Sequence, residues 1–310
     1  MPSRSPLAVL AHAAAHASGI TRRRGPGDGG LRILMLHGVG VGGLPLASLR
    51  RLLRWVRRHR EPVTLHEVAR RLEDPARCIG REVALTFDDG LANNARHAAP
   101  ALAAAGVPAT FFVCAERIAR GRWLWNHEAR ARLRRLAPGA RDGLARDLGA
   151  PAAAVEAFVA WMKGLGSGER ARVEEALRAS TPRFEATAAE REAYDMMDAD
   201  QLRALDPRWI DVGNHTRSHP ILTTLSEAAI AEEVAGGRAD LEDLLQREVP
   251  WFCYPNGSED ERVRAVVRRH HRHAVTTAPG LARPGADALG LPRIGATASL
   301  AETTWRMLRP

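Results

Sequence analysis

The stretch Val83-Ala-Leu-Thr-Phe-Asp88-Asp89-Gly90 joins a short apolar run to two adjacent carboxylates and a glycine. A short apolar run that ends at turn residues is typical of a buried β-strand. The same pattern recurs at five other places, with helical stretches between several of them: residues 31–37, 109–113, 209–212, 251–254 and 273–277. Strands that alternate with helices predict an α/β fold with a parallel sheet, either open or closed into a barrel.

The length and composition of the chain indicate one large domain. With 310 residues and 45% hydrophobic residues, the chain can bury a full-sized core. A Gly/Pro-rich break at residues 25–30 separates an N-terminal helix, near residues 6–19, from the rest. We therefore divide the chain into a helix with its linker, residues 1–30, and a main domain, residues 31–310. The N-terminal helix should pack on this domain rather than on a membrane.

Two helical regions are predicted within the main domain. Between about residues 120 and 197 the pattern changes to Ala/Arg/Glu-rich helix without an apolar strand, which predicts a helical insertion. A second helix is predicted after Thr224-Leu-Ser-Glu227, which has the spacing of a capping box. This helix should cover one face of the sheet, because apolar residues recur in it at helical intervals. These residues are Ile230, Val234, Leu241 and Leu245.

The net charge of +9 raises the question of an anionic partner. The positive residues are almost all arginine, and Lys163 is the only lysine. Arginine clusters at residues 22–24 and 50–60 are more typical of solvated faces than of binding sites. No recognition helix, zinc finger or aromatic stacking signature accompanies them, so we do not expect a nucleic-acid partner.

The cysteines and the hydropathy pattern bear on location. Cys78, Cys114 and Cys253 are far apart, odd in number and in no C-x-x-C pair, which indicates neither a disulfide framework nor a thiolate metal site. The apolar part of residues 6–16 is too weak for a secretory signal, and no run reaches transmembrane length. These observations predict a cytoplasmic protein, with peripheral membrane association as the alternative.

The two carboxylates Asp88 and Asp89 follow a predicted strand, where α/β folds gather their catalytic groups. Neighbouring side chains on a strand diverge, so the two acids should have different roles. The alternative is that one of them caps a helix that starts near Asn93.

A second candidate segment is Asn214-His215-Thr216-Arg217-Ser218-His219-Pro220, which follows the predicted strand at residues 209–212. An H-x-x-x-H pair can place two imidazoles on one side of a metal if the backbone turns helically. A carboxylate from elsewhere would then complete three protein ligands and leave a position open for water. With twelve histidines in the chain, the pair alone is weak evidence, but its position after a strand strengthens it.

A third segment is Trp251-Phe-Cys-Tyr-Pro255-Asn-Gly257, an aromatic strand that ends in a Pro/Gly turn. Trp251, Phe252, Tyr254 and Pro255 are candidates for a sugar-binding wall, and the backbone N–H of Tyr254 is a candidate donor to an oxyanion. The alternative is that these are core aromatic residues followed by an ordinary turn.

Taken together, the motifs T-F-D-D-G at residues 86–90 and H-T-x-x-H at residues 215–219 resemble those of the polysaccharide deacetylase family, carbohydrate esterase family four. Looser similarity extends over roughly residues 30–295. The resemblance implies a distorted (β/α) barrel with a catalytic domain at residues 31–310. It also implies that Asp88 is the general base, and that the metal ligands are Asp89, His215 and His219.

The chain also departs from the family pattern. The usual third motif contains an arginine that holds the base aspartate, whereas this chain has F-C-Y-P-N-G, as in a branch with a tyrosine-proline turn. Arg293, in Leu291-Pro-Arg-Ile294, is our candidate substitute. The late leucine-histidine motif of the family is absent, since residues 278–310 contain no histidine. Some relatives that act on poly-N-acetylglucosamine carry this histidine at the first strand, so His37 is our candidate catalytic acid, with a structural histidine as the alternative.

The resemblance implies metal-dependent hydrolysis of an N-acetyl group, or less readily an O-acetyl group, on a sugar. The expected substrate is an acetylated glycan: a cell-surface polysaccharide, an oligosaccharide or a lipid-linked precursor. Two nitrogen ligands and one oxygen suit zinc, but also cobalt, nickel or iron. The alternatives are a hydrolase of another non-peptide C–N bond on the same fold and a non-catalytic carbohydrate-binding protein.

Overall fold

The computed structural model describes residues 6–20, 29–74, 76 and 80–308. The arginine cluster at residues 22–24 and Cys78 lie outside these residues. The described chain forms a parallel sheet of eight strands, curved into a half-barrel and surrounded by helices. The strands are β1 Arg32–Leu36, β2 Glu61–Pro62, β3 Glu82–Phe87, β4 Ala109–Val113, β5 Ile210–Asn214, β6 Trp251–Cys253, β7 His273–Val275 and β8 Ile294–Gly295.

The predicted α/β barrel fold is confirmed, and all six predicted strands are present with small shifts at their ends. The strand order is β7-β6-β5-β4-β3-β1-β8, with β2 paired to β3, and every pairing between named strands is parallel. Sequence patterns missed β2 and β8, because a two-residue strand is too short to show a period.

The segment that contains β8 joins the two edges of the sheet. At its start, the N–H of Leu291 donates to the carbonyl of Ala274, and its carbonyl accepts from the N–H of Thr276. Three residues later, Ile294 pairs with Leu34 of β1. The segment therefore bridges β7 to β1 and curves the sheet towards a closed barrel, as barrel closure requires.

Helices cover the sheet. Those before the insertion are α1 Pro6–Ala17, α2 Leu46–His59, α3 Leu65–Glu73, a π-helix at Asn94–Ala98, α4 Ala99–Ala105 and α5 Ala115–Arg120. Those of the insertion are α6 Trp125–Arg135, α7 Pro138–Leu148, α8 Val155–Lys163, α9 Ser167–Ser180 and α10 Ala188–Tyr194. The later ones are α11 Ala199–Arg203, α12 Glu227–Ala231, a π-helix at Glu232–Gly236, α13 Gly237–Leu245, α14 Glu261–His270 and α15 Leu300–Arg306, with 3₁₀ turns at Leu222–Thr224 and Pro255–Gly257.

The main core lies between the sheet and its helices. Strands β3 and β4 are buried along their whole length, as expected for central strands of a parallel sheet covered on both faces. Phe87 and Phe111 meet edge to face in this core, with ring centroids 5.1 Å apart. This packing holds the C-terminal ends of β3 and β4 in a fixed position next to each other.

The insertion has its own apolar cluster and packs on the segment that carries the histidine motif. Trp125, Phe158 and Met162 are buried in this cluster together with Ile221, which follows the motif. The indole Nε1 of Trp125 donates to the carbonyl of His219 at 3.2 Å. The insertion therefore supports the histidine loop from one side.

The helix predicted after residue 224 can be compared with the structure in detail. The helix after residue 224 is present, but Thr224 is part of a 3₁₀ turn and the cap is Ser226, whose Oγ accepts from the N–H of Ala229. The predicted capping box was therefore wrong, because the 3₁₀ turn moves the helix start by two residues.

The N-terminal helix α1 packs on the domain as expected. The rings of His12 and Trp305 lie 5.4 Å apart, and His16 Nδ1 is 3.2 Å from the Thr304 hydroxyl. Among the described residues, no helix is both long enough and apolar enough to cross a bilayer.

Candidate active site

The candidate site residues converge at the C-terminal edge of the sheet. Asp88 and Asp89 follow β3, His215 follows β5, and His37 follows β1. In parallel α/β barrels the side chains at this edge face a common cleft. Here they line a cavity of about 940 Å³ together with His219, within the usual size range of ligand-binding cavities.

Asp89, His215 and His219 form a compact buried cluster with ligand-type atoms. One donor atom from each lies within 4.8 Å of the others. Asp89 Oδ1 is 3.7 Å from His215 Nε2 and 3.5 Å from His219 Nε2. Two ligands at about 2.1 Å from a tetrahedral ion lie roughly 3.4 Å apart, so this spacing fits a zinc-sized divalent ion.

The backbone around this cluster adopts conformations that non-glycine residues rarely take. Asp89, Thr216 and His219 have φ angles of 80°, 67° and 62°. Each costs on the order of 1–3 kcal/mol and is maintained by the surrounding structure. The N–H of His219 donates to Thr216 Oγ1 at 3.0 Å. The two histidines therefore meet without the helical turn that was considered for them, because a tight irregular loop brings their rings together.

A hydrogen bond orients the ring of His215, and burial keeps the ring of His219 neutral. His215 Nδ1 donates to the carbonyl of Cys253 at 2.7 Å, which directs Nε2 towards Asp89. Burial by itself lowers the pKa of His215, but its contacts with Cys253 and Asp89 raise the pKa well above the usual value, so a metal at Nε2 would displace a proton. Burial, and then the neighbouring charge of His215, lower the pKa of His219 to about 3, so its imidazole is neutral as metal ligation requires.

Asp88 and Cys253 also lie within ligand distance of His215, but this alternative set suits a metal less well. Both groups contact the guanidinium of Arg293, and a cation at that position opposes a second positive charge. We therefore favour the set that contains Asp89.

Asp88 is held by Arg293 in a buried bidentate pair. Arg293 Nη1 and Nη2 donate to the two carboxylate oxygens, each at 2.7 Å. Arg293 is itself positioned by the Thr86 hydroxyl at 2.9 Å and the carbonyl of Thr276 at 2.8 Å. Burial by itself raises the pKa of Asp88, but the charge and hydrogen bonds of Arg293 reverse this and hold the pKa below its usual value. Neither aspartate caps the helix near Asn93, whose cap has no side-chain bond.

The aromatic segment after residue 250 does not form the expected wall. Trp251, Phe252 and Tyr254 are fully buried and do not line the cavity. The hydroxyl of Tyr254 donates to the carbonyl of Leu289 at 3.0 Å, and its N–H is directed to Val275 at 3.4 Å. The prediction of substrate-binding aromatic residues here was wrong, because both faces of β6 are covered by other elements.

Pro255 is also buried, and from this turn Asn256 lines the cavity instead. The insertion contributes cleft residues that sequence reasoning missed. Asn126, His127, Arg130, Lys163 and Tyr194 line the cavity, and the rings of His127 and Tyr194 are stacked with centroids 4.5 Å apart. The sequence feature that could have indicated one of these residues is that Lys163 is the only lysine in the chain.

Comparison with known proteins agrees with this geometry. Residues 78–146 and 169–275 match the model of the polysaccharide deacetylase family. A search of curated proteins gives no match. This family model describes polysaccharide deacetylases, so the match identifies the chain as a hydrolase of the deacetylase class. Because the match spans more than half of its residues, the chain belongs to the polysaccharide deacetylase family.

Solved structures share the fold at low sequence identity. The deacetylase PplD of Streptococcus pyogenes, in complex with acetate, is 16% identical with a TM-score of 0.62, over 91% of this chain and 99% of that one. IcaB from Ammonifex degensii is 20% identical with a TM-score of 0.63, over 91% and 98%. The BpsB deacetylase domain from Bordetella bronchiseptica is 15% identical with a TM-score of 0.55, over 88% and 97%.

Proposed function

We propose that this protein removes the N-acetyl group from an amino sugar of a glycan, using a metal bound by Asp89, His215 and His219. The observation that carries the proposal is the separation of the two aspartates. Asp89 faces the two histidines, whereas Asp88 is held in a bidentate pair by Arg293. This separation supports a metal-binding role for Asp89 and a proton-accepting role for Asp88.

The donor set suits zinc first and also cobalt, nickel or iron, since it combines two imidazole nitrogens with one carboxylate oxygen. A divalent ion held there would polarise the acetyl carbonyl and lower the pKa of the attacking water. The residues of the chain supply the remaining functions.

Asp88 acts as the general base. Its carboxylate is ionised because Arg293 lowers its pKa, so it can accept the proton of the attacking water. Arg293 also fixes the orientation of the carboxylate, since both oxygens are engaged in charge-assisted hydrogen bonds.

His37 acts as the general acid that protonates the leaving amine. It follows β1 in an exposed position and lines the same cavity as Asp88 and Asp89. This placement favours a catalytic role over a structural one, because a structural strand-end histidine has no need to face the cleft. Protonation of the nitrogen allows the C–N bond to break and release acetate and an amino sugar.

The solved neighbours support acetyl hydrolysis as the reaction. The titles of PplD and BpsB describe deacetylases, and PplD holds acetate. The cavity of about 940 Å³ offers room for more than the acetamido group, which favours a sugar within a glycan as the substrate.

The test is mass spectrometry of the zinc-loaded protein after incubation with N-acetylated oligosaccharides, O-acetylated sugars and cyclic ureides. We expect loss of acetyl groups from the N-acetylated substrates, with Asp88→Asn as the inactive control. Hydrolysis of the ureides alone would replace the proposal by another C–N hydrolase. Binding of oligosaccharide without turnover by any metal-loaded form would indicate a carbohydrate-binding protein.

A further inference from the structure

Lys163 is the only lysine in a chain with 45 basic residues, and it lies in the cleft that contains Asp88 and Asp89. It is the last residue of α8 and is half-buried. Residues 147–168, which include α8, fall between the two stretches that match the family model. The insertion therefore adds to the cleft a cation that the family match does not account for, and the proposed mechanism does not use it.

The side chain of Lys163 is held at the wall of the cleft. Its Nζ donates to Asn256 Oδ1 at 2.7 Å. Asn256 follows β6 and has a φ of 56°, a conformation that costs on the order of 1–3 kcal/mol in a non-glycine residue. A flexible lysine side chain is thus anchored by a residue of the turn after β6, which reduces the entropy that it would lose when it binds a ligand.

Among the described residues, no carboxylate lies within ion-pair distance of Lys163 Nζ, and the negative charges of Asp89 and Glu156 act on it only from a longer distance. The two carboxylates that line the cavity are engaged elsewhere, Asp88 with Arg293 and Asp89 with the histidines.

A second cation, Arg130 of α6, lines the same cavity. Burial, and then the charge of Arg130, lower the pKa of Lys163, which reflects two like charges near each other. Arg130 pairs with Glu156 at 2.9 Å, but Glu156 is mostly exposed and also contacts Arg134 at 3.4 Å. Glu156 is thus shared between two arginines and does not line the cavity, so Lys163 and Arg130 make this part of the cavity wall positive.

We infer that the natural substrate carries an anionic group, a carboxylate or a phosphate, near its acetamido group, and that Lys163 and Arg130 bind this group. A cleft lined by one sign of charge concentrates ligands of the opposite sign. Because these cations share a cavity with the hydrolytic centre, the anion belongs to the same molecule as the acetamido group. This inference rests on the proposed function and narrows it to anionic amino-sugar glycans.

The experiment compares matched neutral and anionic substrates. N-acetylglucosamine oligosaccharides are the neutral probe, oligosaccharides that alternate N-acetylglucosamine with glucuronic acid carry the carboxylate, and N-acetylglucosamine 1-phosphate, compared with N-acetylglucosamine, carries the phosphate. We expect the wild-type kcat/KM for at least one anionic probe to exceed that for its neutral match at least tenfold. The preference should shrink as ionic strength rises, since salt screens these charges.

Four variants separate charge recognition from positioning. Lys163→Gln should lose at least tenfold more kcat/KM on the anionic probe than on the neutral one, mainly through KM, and Lys163→Arg should keep most of the preference. Asn256→Gly removes the hydrogen bond to Lys163 but keeps the lysine charge, and glycine tolerates the positive φ at this position. This variant should therefore also retain a preference for the anionic probe. Arg134→Gln is the control, because Arg134 contacts the same Glu156 but does not line the cavity.

A binding measurement keeps this inference separate from the proposed function. Calorimetric titration of the wild type and Lys163→Gln with the same probes needs no turnover. If no probe is hydrolysed, the proposed function fails, and the titrations still report whether anions are preferred. Equal binding of neutral and anionic probes by the wild type, or an equal loss on both in Lys163→Gln, would overturn the inference and leave Lys163 as a support for the Asn256 turn.

Discussion

Arg293 donates from Nη1 and Nη2 to the two carboxylate oxygens of Asp88, each at 2.7 Å, although the two residues are 205 positions apart in the sequence. Arg293 lies in the segment that bridges β7 to β1, so closing the barrel places its guanidinium next to the end of β3. Both side chains are almost completely buried. Removing one partner of such a buried ion pair strongly destabilises the folded protein.

The first prediction concerns Arg293→Met. In the wild type, Arg293 holds the pKa of Asp88 below its usual value against the effect of burial. Without the guanidinium, burial raises this pKa, so Asp88 becomes protonated at a higher pH. The acidic limb of the kcat/KM profile should therefore move to higher pH, measured across the acidic range. Arg208→Gln is the control, because Arg208 is exposed and pairs with Asp206. An unshifted acidic limb in Arg293→Met would contradict the role of Arg293.

The second prediction separates the two aspartates. Asp88→Asn should abolish turnover and leave the metal content nearly intact, because the base lies beside the metal ligands without being one of them. Asp89→Asn should lose both activity and metal. Metal content by elemental analysis, together with turnover, distinguishes the metal ligand from the general base. Loss of metal from the Asp88 variant would show that the two roles are exchanged.

The third prediction concerns His37. Removing a general acid typically lowers the rate by about 10²- to 10⁴-fold, so His37→Ala should reduce kcat on the amide by this factor. An activated aryl acetate needs less protonation of its leaving group and should recover much of the rate. Metal affinity should change little. If His37→Ala lowers kcat equally on the amide and on the ester, His37 is not the general acid.

The fourth prediction concerns metal binding and stability. A ligand that binds only the folded state at 100 times its Kd stabilises it by about 2.7 kcal/mol. Zinc should therefore raise the thermal unfolding midpoint of the wild type and of His37→Ala, but not of His219→Ala. In zinc-loaded crystals, an anomalous peak should lie about 2.0 to 2.2 Å from the donor atoms of Asp89, His215 and His219. A peak at another site would exclude this ligand set.

The fifth prediction concerns His271, a buried residue away from the cleft. Its Nε2 accepts from the side-chain amide of Asn214 at 3.0 Å, and burial lowers its pKa to about 3 from the usual 6.5. Between pH 3 and pH 6.5 the imidazole of His271 is therefore protonated in the unfolded chain and neutral in the folded chain.

The stability contributed by neutral His271 is therefore present above pH 6.5 and is lost as the pH falls towards 3, at about 1.4 kcal/mol per pH unit. Denaturant unfolding of His271→Gln at several pH values should show a shallower dependence in this window. The neighbouring His270→Gln should behave as the wild type. Identical slopes in His271→Gln and the wild type would show that another group is responsible.

Features that depend on short stretches of sequence were readable from the sequence alone. The six longer strands were predicted from apolar runs and turn residues, which are local patterns. The aspartate and histidine motifs follow strands, so their common edge followed from the parallel sheet. The exception is the aromatic segment, because the burial of Trp251 and Tyr254 depends on what packs against each face of β6, and no local pattern states this.

The sequence by itself therefore determined the α/β class, the insertion and the four motif residues, because strand patterns and turn chemistry act over a few residues. Only the tertiary structure decided which distant groups meet. It brought Arg293 into contact with Asp88, buried the aromatic residues of β6 away from the cleft and brought Lys163 into contact with Asn256. The physical reason is that such contacts depend on barrel closure and on the docking of the insertion, which are set by the packing of the whole core and not by the pattern of any one segment.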